Sequence, residues 1–64
     1  MQELEAKKYY LIKQNNLVIE ILVDKVSETS YYIGKLNGRF GIDNYYWITK
    51  QEFNNDWKIL EELK

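Results

Sequence analysis

The sequence predicts a mainly β protein: a small five-stranded SH3-like barrel with one short helical turn near residues 49-54. Three observations carry that expectation. Residues Tyr9 to Val26 form two apolar runs broken by Asn15-Asn16, the pattern of a β-hairpin. Asn37-Gly38 is the strongest short hairpin signal in the chain, because both residue types tolerate positive φ. Thr49-Lys50-Gln51-Glu52 has the Ser/Thr-x-x-Glu spacing of a helix capping box. Barrel closure would also remove the sheet edges that so much apolar strand needs to protect.

Taken in order, residues 1 to 8 (MQELEAKK) are polar and read as a frayed lead-in. Asn15-Asn16 then closes a type I′ turn between strands Lys8 to Gln14 and Leu17 to Val26. The competing reading is a helix capped by Asn16, with Leu17, Val18, Ile21, Leu22 and Val26 as its stripe. A strand is preferred. Residues 17 to 26 hold five β-branched residues, which lose χ1 freedom in a helix and suit a pleated surface. A helix would also leave Ile19 and Val23 on its polar side. With a two-residue turn the register follows: Ile12 faces Ile19 and Tyr10 faces Ile21, on a core side shared with Leu17 and Val23. Lys13, Leu11 and Tyr9 then face Val18, Glu20 and Leu22 on the other side, since side chains alternate along a strand. That second face is mixed. Either the C-terminal segment covers it, which is preferred, or it meets a partner or a second copy.

Ser27 to Ser30 is a polar connection, and Thr29 to Leu36 reads as the third strand, with Gly34 a bulge or close backbone approach. A turn at Asn37-Gly38 sets Ile33 opposite Ile42 and Lys35 opposite Phe40. A short fourth strand, Arg39 to Ile42, would then turn at Asp43-Asn44 into a fifth, Tyr45 to Ile48. The Thr49 hydroxyl can accept from the Glu52 amide, so a single helical turn should carry Phe53 into the core and end at Asn54-Asn55-Asp56. Trp57, Ile59, Leu60 and Leu63 fit either a closing strand or a short helix; a strand around 57–60 is preferred.

The 64 residues make one small domain, 1-64. A chain of this size buries only about 60% of its unfolded surface, and without cysteine it has no disulfide to staple it. The aromatic residues, 16% of the chain, are the compensation, since each buries a large area. With neither His nor Cys, the commonest general base and the commonest metal ligands are gone. The expectation is therefore a non-enzymatic protein with no cofactor and no metal. Nine basic and ten acidic residues leave a net charge of −1, too little for nucleic acid to be the expected partner. No apolar run approaches the roughly 20 residues needed to span a bilayer, and nothing resembles a signal peptide. The protein is expected in the cytoplasm, off the membrane.

The stretch YYWITKQEFNNDWKIL resembles a pattern in small proteins of phages and mobile elements, in which a strand leads to I-[ST]-K-x-x-F, then an aromatic and a final strand. Ile48, Thr49, Lys50, Phe53 and Trp57 are the matching residues. The Lys-, Asn-, Ile- and Tyr-rich composition also resembles that of AT-rich bacterial genomes and their phages. The resemblance covers the last third of the chain. It implies a small SH3-like accessory protein, some of which inhibit a host enzyme or an antiviral defence complex, and it carries no functional residue across.

Three tyrosine pairs, Tyr9-Tyr10, Tyr31-Tyr32 and Tyr45-Tyr46, should each place one ring inside and one outside. Ordinary β propensity accounts for most of this, but exposed Tyr and Trp also make good binding anchors. Tyr9, Leu11, Tyr32, Tyr45 and Trp47 are accordingly the expected partner-binding residues. Tyr9 and Tyr32 face outward on these registers, whereas the facing of Tyr45 and Trp47 is not set. Gly34, Gly38 and Gly41 read as turn and bulge glycines, and Lys35, Arg39 and Lys50 as a small basic cluster. The expected function is protein binding, as an inhibitor acting by occlusion on a host or defence protein. A nucleic-acid-binding barrel and a structural subunit dimerising through Leu11, Val18 and Leu22 are the alternatives.

Overall fold

The computed structural model describes residues 3–37 and 41–63. Five strands and one helix follow in the order β1 (Lys8–Gln14), β2 (Leu17–Val26), β3 (Ser30–Leu36), β4 (Ile42–Thr49), α1 (Lys50–Asp56) and β5 (Lys58–Leu63). The strands form one antiparallel sheet of order β4-β3-β2-β1-β5.

The first hairpin has the register expected of a two-residue turn: Tyr10 pairs with Ile21, Ile12 with Ile19, Leu11 with Glu20 and Tyr9 with Leu22. Of the two turn residues only Asn15 takes a positive φ (54°). The connection is therefore not the expected type I′ turn, which needs positive φ at both positions. Strict alternation buries Tyr10, Ile12, Ile21 and Val23 together with Tyr31 and Ile33 of β3. Leu17, assigned above to the core side, is exposed because it sits beside the turn, beyond the last pairing of β2 with β3 at Ile21 and Lys35.

The second half of the sheet departs from the expected registers. Leu36 pairs with Ile42 and Lys35 with Asp43, not Ile33 with Ile42 or Lys35 with Phe40. The Asn37 amide donates to the Gly41 carbonyl at 2.7 Å, and a pairing of Leu36 with Ile42 does not fit a two-residue turn at Asn37-Gly38. The Gly38 position of that turn, and Arg39 and Phe40 of the expected fourth strand, lie outside the described residues. The expected turn at Asp43-Asn44 is replaced by continuous strand, because Asn44 and Tyr45 together oppose Gly34 as a bulge. Five strands are still present, but the fifth is β5 rather than Tyr45 to Ile48.

The capping box forms as spaced. The Glu52 amide donates to Thr49 Oγ1 at 3.0 Å, and the Thr49 amide reaches the Glu52 carboxylate at 3.4 Å. Two orphan amides are thereby satisfied. The helix is seven residues long rather than a single turn and ends at Asp56, where the Trp57 amide closes it on the Phe53 carbonyl at 2.8 Å. Phe53 is fully buried, with its ring edge-on to Tyr31 at 5.6 Å. The tail is a strand: Ile59 pairs with Ile12 and Leu63 with Tyr9, and the register shift between them leaves Leu60 as the extra, exposed residue.

Residues 3 to 7 are not a frayed lead-in. Leu4 is buried in the core. Its amide donates to the Tyr31 hydroxyl at 3.4 Å, and the Glu5 amide to the Tyr10 hydroxyl at 2.9 Å. Lys7 turns the chain into β1 at φ 66°, its amide bonded to the Val23 carbonyl at 2.6 Å. The physical reason is the polar tip of tyrosine: a buried hydroxyl needs a partner, and the entering backbone supplies one. At the surface, Lys8 contacts Glu5 at 2.9 Å and Glu62 at 3.6 Å. The hydrogen bond and charge of Glu5, then the charge of Glu62, hold its ammonium above its ordinary pKa.

The sheet is not closed into a barrel; β4 and β5 remain its two edges. α1 joins those edges and lays Phe53 on the core as well.

Two substitutions test this account. Thr49→Ala removes one half of the capping box and should cost about 1 kcal/mol, lowering Tm by about 4–8 °C in a domain of this size. Leu4→Ala should cost about 2–5 kcal/mol, as for a core leucine, whereas a frayed end would show no shift in the urea midpoint.

Candidate functional site

The alternation that fills the core sends a second set of side chains to the opposite, outer face. On it the register sets Tyr9 of β1 beside Leu22 of β2, and Leu22 beside Gly34 of β3. Tyr32 of β3 pairs directly with Trp47 of β4. Their rings are 4.9 Å apart, tilted by 38°. Tyr45 stacks on the other side of Tyr32 at 5.3 Å and 20°. Three aromatic rings thus form a continuous row across β3 and β4, at the centroid spacing such pairs prefer.

Gly34 makes room for that row. A Cβ at this position would lie 2.9 Å from Tyr45 Cε1 and would clash with the Ile42 side chain. The glycine read from sequence as a bulge or a close approach is both: the bulge at Asn44-Tyr45 turns Tyr45 over the bare backbone opposite. A second bulge, at Asp24, sets Lys25 opposite Tyr32. Its ammonium lies 5.8 Å from the Tyr32 ring centre, within cation–π reach.

All five expected partner-binding residues lie on this face. Trp47 is 52% exposed, Tyr9 and Tyr45 are each 38% exposed, and Leu11 and Tyr32 are half-buried. Tyr32 touches both Tyr45 and Trp47; Tyr9 and Leu11 stand on β1, with β2 between. The C-terminal segment does not cover them, contrary to the preferred expectation, because α1 puts Phe53 into the core on the other side. The third tyrosine pair also departs from expectation. Tyr45 and Tyr46 are both exposed, because β4 is an edge strand and no neighbour flanks its free side.

Sequence reasoning missed Lys25, whose position depends on the Asp24 bulge. It also missed a hollow of ≈ 430 Å³ where β2 and β3 part towards their turns, bordered by Leu11, Leu17, Val18 and Leu36. The expected basic cluster does not form among its described members. Lys35 and Lys50 sit at opposite ends of β3, and Lys50 lies over the Tyr31 ring at 5.6 Å. Among the described residues, no group of three or more carboxylates could hold a metal ion, and no helix is long and apolar enough to cross a membrane.

No family model matches the chain, and neither a curated protein nor a solved structure does. Gly34→Ala should displace the Tyr45 ring and cost about 1–3 kcal/mol, as overpacking does. A changed near-ultraviolet circular dichroism signal alongside a lower urea midpoint would show both effects; an unchanged spectrum would mean that Tyr45 does not rest on Gly34.

Proposed function

We propose that the protein is a non-enzymatic binding module, an SH3-like, partly open barrel whose outer aromatic face seats in a pocket of a protein partner and blocks access to it. One observation carries this reading: the stacked row Trp47–Tyr32–Tyr45 stands on an uncovered sheet face, with Trp47 52% exposed. Rings held by their neighbours lose little entropy on binding, and Tyr and Trp dominate binding hot spots for that reason. Tyr9 and Leu11 extend the same face towards β1. The strand order, with a helix joining the two edge strands, supports the barrel reading. The resemblance of residues 45–60 to small phage and mobile-element proteins makes a host enzyme or antiviral defence complex, met in the cytoplasm, the proposed target.

The stack with Lys25 beside it also suits a nucleic-acid base, but a net charge of −1 gives no footprint for the backbone. Affinity capture from a bacterial lysate separates the two readings. The wild type should recover one dominant protein at stoichiometric yield. Trp47→Ala and Tyr45→Ala, folded by circular dichroism, should each lose it by roughly 30-fold or more, the hot-spot range, while Lys58→Ala retains it. Nuclease-sensitive material in place of a protein would overturn the reading, as would undiminished capture by the aromatic variants.

A further inference from the structure

The two edges of the sheet differ in chemistry. β5 (KILEEL) carries Lys58, Glu61 and Glu62, charges of the kind that keep a second strand from adding. β4 (IDNYYWIT) has one charge, Asp43, at its start, and neither lysine nor proline. Its bulge bends only the first half; from Tyr46 to Thr49 the register with β3 is unbroken. Along that regular half Tyr46 is 47% and Trp47 52% exposed. A neutral, aromatic strand with one side unpaired by the sheet is a template for another strand.

We infer that a second copy of this chain adds there, β4 to β4 and antiparallel about a two-fold axis, joining two five-stranded sheets into one. The argument for a second copy is the self-complementarity of the strand. Residues directly opposite in an antiparallel pair share a face. With the axis at Tyr46, the regular half of each β4 lies along the first half of the other, and Tyr45 meets Trp47 of the second copy on the outer face, so the row Trp47–Tyr32–Tyr45 continues from one copy into the next. Asp43 falls opposite Thr49, so no like charges meet, and with a net charge of −1 per chain the copies repel weakly. A chain of 64 residues without a disulfide also gains buried area that its own core cannot supply. This inference does not rest on the proposed function: the outer face stays open in the pair, and either can fail alone.

Because the chain has no cysteine, Tyr46→Cys introduces a single thiol. Its counterpart across the axis would have its Cβ about 4.5–5.5 Å away, close enough for a disulfide after a small shift. Mild oxidation should convert Tyr46→Cys to a covalent dimer while Leu60→Cys, exposed on the β5 edge, stays largely monomeric. By light scattering the wild type should show twice the 7.8 kDa chain mass, and Tyr46→Lys should halve it. In the wild type, hydrogen exchange at Tyr46 to Ile48 should speed up on dilution, a readout that needs no variant to fold. A wild type that stays at the chain mass at high micromolar concentration would overturn the inference, as would equal cross-linking of the two cysteine variants. So would a dimer split by Val18→Lys but not by Tyr46→Lys, which would move the contact to the face of Leu11, Val18 and Leu22.

Discussion

The rest of the structure depends on the register of the first hairpin. A connection of only Asn15 and Asn16 leaves β1 and β2 a single way to pair. Slipping β2 by one residue against β1 would turn Ile21 and Val23 to solvent and bring Glu20 inward. Both the core and the outer aromatic face follow from that alternation. β3 inherits the pattern through Val23 and Ile33, and β4 through Ile33 and Tyr46.

The ends of the core are closed by two pieces that are not strands. Phe53 enters from α1, which the Thr49 capping box starts at the end of β4. Leu4 enters from the lead-in, tethered by the hydroxyls of Tyr31 and Tyr10. Tyrosine suits this work better than phenylalanine would: the ring supplies area, and the hydroxyl satisfies a backbone amide that the chain's entry would otherwise bury unpaired. Among the described residues no buried side-chain polar atom lacks a partner. A chain this small cannot tolerate many such atoms.

How much was legible from sequence follows from the range of the forces involved. The Asn15-Asn16 hairpin and the Thr49–Glu52 cap are set by residues within a few positions of one another, and both were readable, the hairpin down to its register. The facing of Tyr9 and Tyr32 came with the alternation. The β3–β4 register was not readable, because the local turn preferences of Asn37-Gly38 and Asp43-Asn44 were overridden by pairing across the sheet. Asp43 pairs with Lys35, and Asn44 became part of a bulge fitted to Gly34. Leu4 was hidden in a polar segment, and its burial depends on hydroxyls that lie 6 and 27 positions further along the chain. The facing of Tyr45 and Trp47 was open for the same reason: it is decided by the bulge and not by the residues themselves.

The place of β1 in the sheet has a consequence for how the molecule assembles. One neighbour, β2, follows after a two-residue turn; the other, β5, arrives only after every other element has been threaded. The contacts of β1 are thus the most local and the most distant that the chain makes. Closing the second set costs the larger loop entropy. Until β5 docks, β1 with its Tyr9, Tyr10, Leu11 and Ile12 is itself an edge strand, flanked only by Lys8 and Lys13. The late step in folding is therefore also the step that hides the stickiest strand, and the speed of β5 docking sets how long a nascent molecule stays exposed to aggregation.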